Sequence, residues 1–182
     1  MNKFIGNSFD EIYGYTSKLT PKNKGDFFEE FTYHLFKLDP RLNGNLNSIW
    51  LYSNIPQKIL TELKLPSKDK GIDLLAIING EYYAIQCKFR QDPNKTIRWA
   101  ELATFFGLSF GMNNKIKGGF LVTNTYDLCD EVMNSSKVKP IYGDFFDTLP
   151  TRFFKRISGN NISYLKKKTI TISKIVHIKC RI

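Results

Sequence analysis

The chain has 182 residues, 42% of them hydrophobic, which is enough for one domain with a proper core. It contains no apolar run of about 18 residues that could cross a membrane, and its start, MNKFIGNSFDEIYG, lacks the apolar stretch of a secretory signal. Three widely spaced cysteines (Cys87, Cys129, Cys180) argue against a disulfide framework and against a structural zinc site, so the expected compartment is the reducing cytoplasm.

The net charge of +10 is concentrated at one end. Residues 151–182 carry nine Lys and Arg and no acidic group, which leaves 18 basic and 17 acidic side chains over residues 1–150. Such a tail suits a polyanion such as nucleic acid, or serves only as a solvated charge run. The division expected is a body over 1–150 and a basic C-terminal extension over 151–182.

In chain order, TPKNKGDFFEEFTYHLFKL predicts a helix, with Thr20 as N-cap, Pro21 at the first helical position and Phe28, Phe31 and Leu35 on one face. DPRLNGN ends it with turn chemistry. SIWLYSNI reads as a strand and PQKILTELKL as a short helix. GIDLLAII and EYYAIQCKF read as strands joined by Asn79-Gly80, the favoured two-residue hairpin turn. IRWAELATFFGLSFGM predicts a helix whose buried face holds Trp99, Leu102, Ala103 and Phe106, with Trp99 read as a core anchor rather than a base-stacking residue. KGGFLVTNT reads as a strand, DLCDEVMNSS as a helix opened by Asp127, VKPIYG as a short strand, and DFFDTLPTRFFKRI as helical on either side of Pro150. The alternating tail KKTITISKIVHIKCRI predicts one or two edge strands. The fold class expected is α/β, a mixed central sheet with helices on both faces.

The hairpin holds the chemistry. Strand alternation puts Tyr82, Ala84, Gln86 and Lys88 on one face and Tyr83, Ile85, Cys87 and Phe89 on the other, core face. Pairing about the Asn79-Gly80 turn sets opposite one another residues whose numbers sum to about 159, so Asp73 faces Gln86. A carboxylate, an amide and an ammonium then converge. Mg²⁺ takes oxygen ligands, which Asp73, Gln86 and the backbone carbonyl of Cys87 offer. A metal-bound water can attack a phosphodiester, with Lys88 orienting it or stabilising charge. The plainer alternative is an Asp73–Lys88 salt bridge beside an exposed polar Gln86. Lys68, Lys70, Arg90, Lys95 and Arg98 bracket the hairpin and suit phosphate contacts. The Cys87 side chain is read as packing, and two histidines, His34 and His177, are too few for a His-based zinc site or a His–Asp triad.

These residues resemble the Mrr-like branch of the PD-(D/E)xK nuclease superfamily. GIDLLAIINGEYYAIQCKF matches its G-x-D … Q-x-K core, and GDFFE, with Gly25, Phe28 and Glu29, matches its preceding G-x-x-F-E helix. The resemblance covers roughly residues 22–145 and implies a restriction-endonuclease-like core acting on DNA. It makes Asp73, Gln86 and Lys88 catalytic and adds Glu29 as a fourth site residue and metal ligand, with the adjacent Glu30 as the alternative. Ile72 stands where the family's usual Pro would precede Asp73. The implied cofactor is Mg²⁺, with Mn²⁺ as substitute, and neutral Gln86 favours one ion over two. Implied partners are DNA, a second copy of the chain for cutting both strands, and a helicase or translocase outside this chain, since no G-x-x-x-x-G-K-[ST] motif occurs here. A nuclease fold that binds nucleic acid without cutting is the competing reading.

Overall fold

The computed structural model describes residues 4–68 and 70–159. The predicted tail strands lie outside the described residues, as do His177 and all but three of the tail's basic residues.

The first helices are α1 (Asp10–Thr16), α2 (Pro21–Leu38) and the short α3 (Pro40–Asn43). Thr20 caps α2 as expected, its hydroxyl accepting the Asn23 N–H, with Pro21 in the first turn. Asp39 ends α2 and opens α3, its carboxylate accepting the Arg41 N–H at 2.9 Å. Strand β1 (Leu46–Leu51) and helix α4 (Gln57–Glu62) follow, then the hairpin of β2 (Leu74–Ile78) and β3 (Glu81–Lys88). Beyond it lie α5 (Ala103–Phe106), β4 (Ile116–Thr123), α6 (Asp130–Met133), β5 (Val138–Ile141), α7 (Gly143–Asp147) and α8 (Thr151–Gly159).

The five strands form one sheet in the order β1-β2-β3-β4-β5. The β1/β2 and β2/β3 pairs are antiparallel, and β3/β4 and β4/β5 are parallel. Leu74 pairs with Ile85 and Ile78 with Glu81, the register the turn predicts. Asn79 and Gly80 both take positive φ, +52° and +79°, which is the geometry that closes a two-residue hairpin without splaying its strands.

Both faces of the sheet are buried. On one, α2, α7 and α8 set Phe27, Phe28, Phe31, Leu35, Phe146 and Phe153 against Leu74, Ile85 and Val122, and α1 adds Ile12. On the other, Leu60, Leu63, Ile97, Leu102, Phe105 and Val132 cover Leu75, Ala84 and Leu121. This is the expected α/β sandwich, with a restriction-endonuclease-like mixed sheet at its centre. In α8, Phe153, Phe154 and Ile157 are buried in the first core, so the packing does not break at residue 150.

Two local expectations fail. The single helix expected over 97–112 is a 3-10 turn (Trp99–Glu101), then α5, then a π-helical turn (Gly107–Gly111). The changing pitch rotates the buried positions to Leu102, Phe105 and Ser109, and leaves Trp99 40% exposed rather than anchored in the core. Helix α6 begins at Asp130, not Asp127, because a parallel bridge between Ile97 and Leu128 keeps the preceding segment extended. The Asp127 carboxylate instead accepts the Thr96 hydroxyl at 2.6 Å.

Gly71 has φ +118°, and a β-carbon there would meet Thr104 and the backbone of Phe105 at 3.4 Å. The glycine of the G-x-D motif is therefore required by its backbone, two residues before Asp73. Gly71→Ala is expected to cost about 1–3 kcal/mol from the forced left-handed conformation. Thermal unfolding reads this, and an unchanged melting temperature would refute the strain.

Candidate active site

Asp73 sits one residue before β2 and is pinned at three points. Its N–H donates to the Ile85 carbonyl at 2.9 Å, its carbonyl accepts the Tyr52 N–H at 2.8 Å, and its Oδ2 accepts the Cys87 N–H at 2.5 Å. The β2/β3 pairing ends at Leu74–Ile85. The Asp73 carboxylate thus takes over the ladder where the β2 backbone stops, which is why a carboxylate at this position folds inward.

Gln86 lies opposite, as the register requires. Asp73 is 7% exposed and Gln86 4%, so neither is the surface residue of the plainer alternative. The two do not sit at a sheet edge: β3 is the central strand, with β4 paired along its far side as far as Lys88–Thr123. Gln86 Nε2 donates to Asp73 Oδ2 at 2.5 Å and to the Cys87 carbonyl at 3.3 Å. Two of the oxygens read as metal ligands therefore converge on one point, and the amide NH₂ stands there. An amide facing a carboxylate turns its nitrogen inward, and a cation in that position would draw Oε1 round instead.

The donor set of Asp73 carboxylate, Cys87 carbonyl and the turned Gln86 carbonyl fits a hard, oxygen-seeking divalent cation. Among the described residues no group of three or more His, Cys, Asp or Glu side chains forms a metal-holding cluster. The set is therefore rich in neutral oxygens and poor in charge.

Helix α2 packs on the Ile85–Cys87–Phe89 face, opposite Gln86 and Lys88. Glu29 approaches from that side. The Cys87 thiol is pushed well above its ordinary value by burial, and the negative charges of Asp73 and Glu29 add to the effect. Glu30 belongs to different surroundings. Burial, with the nearby Asp26 charge, raises its carboxyl to about 7. It also acts electrostatically on Tyr15, which packs on Phe27.

Since the folded value of Glu30 exceeds its ordinary 4.5, the folded protein takes up a proton in between. The associated stability is complete below pH 4.5 and is lost as the pH rises through about 7. Glu30→Gln is expected to match the parent in melting temperature at pH 4.5 and to exceed it increasingly toward pH 8. Parallel melting curves at both pH values would contradict the assignment.

Lys88 ends β3 half-buried, on the face shared with Gln86. Arg90 is ion-paired to Glu101 and has its Nε buried with no hydrogen-bond partner. Lys68, Lys70, Lys95 and Arg98 are exposed on the two connections that flank Asp73 and Lys88. His34 is half-buried on α2 against Tyr33, and burial followed by the Lys37 charge lowers its pKa.

Two contributors escaped the sequence reading. Burial would raise the Glu101 carboxyl, but the Arg98 N–H, the Arg90 side chain and the charges of Arg90 and Lys88 outweigh it and hold it below its ordinary value. Its place beside Lys88 could have been suspected only from the E-x₁₂-K separation read backwards through a loop, which no motif encodes. Asn124, buried just past β4, accepts the Arg90 N–H at 2.7 Å and donates to the Arg90 carbonyl at 2.6 Å and to Tyr13 Oη at 3.0 Å. It fixes the chain two residues beyond Lys88.

A mixed sheet between two helical layers, with Asp, Gln and Lys gathered where β2 stops against β3, defines an α/β protein of the restriction-endonuclease fold. Residues 37–177 match the family model Mrr_cat_2, described as a restriction endonuclease, and the chain belongs to that family. The match begins in the last turn of α2, so it includes Asp73, Gln86 and Lys88 but not Glu29. Among solved structures, an ATP-dependent Type ISP restriction-modification enzyme, LlaBIII, bound to DNA, shares the fold at 21% identity and a TM-score of 0.58. The similarity covers 79% of this chain and 8% of that one, so the present chain corresponds to a small part of that enzyme's length. No curated protein matches the sequence. Among the described residues no helix is long and apolar enough to cross a membrane.

Proposed function

We propose that this restriction-endonuclease-family chain hydrolyses DNA phosphodiester bonds with a bound divalent metal, Mg²⁺ or Mn²⁺, in restriction or defence. The observation that carries the reading is the convergence of Asp73 Oδ2 and the Cys87 carbonyl on one point beside Lys88. Asp73, Gln86 through Oε1, the Cys87 carbonyl and, from the opposite face, Glu29 would hold the ion. When bound, it supplies an activated water and charge neutralisation at the phosphate. Lys88 orients the attacking water and stabilises the phosphate oxygens as negative charge builds. Glu101 holds Arg90 and lies within electrostatic range of Lys88. Exposed Lys68, Lys70, Lys95 and Arg98 contact backbone phosphates around the cut.

The similarity to a small part of an ATP-dependent enzyme supports a nuclease module working with a helicase or translocase outside these residues. Cutting both strands would bring two copies together on DNA. Plasmid nicking tests the reading: the protein with Mg²⁺ or Mn²⁺ is expected to convert supercoiled to open-circular DNA, and Lys88→Ala to slow this by about a hundredfold to a thousandfold. Equal rates for the two proteins would remove Lys88 from the chemistry.

One observation favours the alternative of a nuclease fold that binds nucleic acid without cutting: the Gln86 amide already satisfies the oxygens a cation would need. Calorimetric titration with Mg²⁺ separates the two. Heat of binding that disappears in Asp73→Asn supports the nuclease, and no binding supports the inactive module.

A further inference from the structure

Among the described residues two aromatic side chains stand exposed, Trp99 at 40% and Tyr126 at 45%, and the Tyr126 hydroxyl is held by the Asp147 carboxylate whereas Trp99 presents a bare ring. One side of its ring is backed by Phe106, with ring centroids 4.5 Å apart and planes inclined by 51°. Phe106 in turn stacks edge-on against Phe105, which is fully buried in the second core. The indole is thus a rigid shelf propped from below.

Its position gives the shelf a purpose. Trp99 opens the 3-10 turn that ends in Glu101, the residue paired with Arg90 and within electrostatic range of Lys88. Thr104 and Phe105, a few residues on, lie directly over Gly71, two residues before Asp73. The segment carrying Trp99 is therefore laid across the sheet face that bears Gln86 and Lys88. Exposed Arg98 precedes it in the chain, and the turn is locked because the Arg98 N–H donates to the Glu101 carboxylate at 3.0 Å. A propped, exposed aromatic face beside cations is the arrangement on which an unpaired nucleobase stacks, while the cations hold its phosphates.

We infer that Trp99 stacks on an unpaired nucleobase next to the phosphate under attack. The site then prefers DNA with a locally unpaired or splayed base over a fully stacked duplex. The inference deepens the nuclease reading and rests on it for the identity of the ligand.

The sequence has two tryptophans, Trp50 and Trp99, so the full-length Trp50→Phe protein reports on Trp99 alone by fluorescence. The protein is titrated in metal-free buffer with end-labelled DNA, either single-stranded, duplex with one unpaired base, or fully paired, and binding is followed independently by anisotropy. Trp99 emission is expected to fall on binding the first two and to change much less with the third. In the otherwise wild-type protein, Trp99→Phe is expected to keep affinity for single strands within about threefold, and Trp99→Ala to lose about tenfold to a hundredfold. Thermal melts confirm that each variant is folded, and the Trp99 emission change in the Trp50→Phe protein decides the question if the Ala variant is not. Binding by anisotropy with unchanged Trp99 emission, equal affinities for parent and Ala variant, or no binding to any of the three DNAs would each overturn the inference. Failure of the nuclease reading looks different: Trp99 is quenched by DNA but no divalent metal produces nicking.

Discussion

Asp73→Asn is expected to reduce DNA cleavage by at least about a hundredfold to a thousandfold while leaving the protein folded. The asparagine keeps an oxygen for the Cys87 N–H and so preserves the β2/β3 junction. What it loses is the negative charge on the Gln86 side of the sheet, where Gln86 and a backbone carbonyl then offer only neutral oxygens and Glu29, from the opposite face, is left as the charged ligand. Asp73→Ala is a different experiment, since it strips the Cys87 N–H of its acceptor and costs about 1–3 kcal/mol of stability as well. Nicking rates alongside thermal melts distinguish the two. Full activity in folded Asp73→Asn would remove this carboxylate from the reaction.

Phe31→Ala is expected to have the largest effect on stability, about 3–5 kcal/mol. Phe31 is fully buried, and its ring meets Phe9, Phe28, Phe146 and Phe153, which come from before α1, from α2 itself, from α7 and from α8. Truncating it leaves a cavity at the point where those segments meet, and their rings are too constrained by one another to collapse into it. Against a total of about 5–15 kcal/mol, a loss of that size places the variant near its unfolding threshold at ordinary temperature. Chemical denaturation measures it, and a change under about 1 kcal/mol would mean that the aromatic cluster repacks.

What the sequence revealed followed local rules that tertiary structure left alone. The Asn79-Gly80 turn fixed its own register, and that register carried Asp73 to Gln86. The Thr20 cap and the Phe28–Phe31–Leu35 stripe defined α2 in the same way. Strand alternation also told which side chains share a face, but not what covers each face. It could not reveal that the Gln86 face is roofed by the segment from Ile97 to Phe105, or that the Glu29 charge acts on Cys87 from the other side of the sheet. The Trp99 helix failed because periodicity assumes a constant pitch, and three different helical pitches follow one another there. Glu101 and Asn124 were invisible because their partners, Arg90 in both cases, are joined to them by the fold and by no motif. The tilt of the Gln86 amide is set by a balance of hydrogen bonds, which residue identity alone does not decide.

Asp73 is tied through its N–H and its carboxylate to Ile85 and Cys87 of β3 and through its carbonyl to Tyr52 beyond β1, so two separate stretches of backbone share it. The side chain consequently has almost no rotational entropy left to lose when a substrate arrives; that cost was met when the sheet formed. Releasing it requires opening the central strand pair itself. The Cys87 amide proton should therefore exchange with solvent as slowly as the most protected protons of the sheet, making the readiness of this carboxylate as durable as the fold.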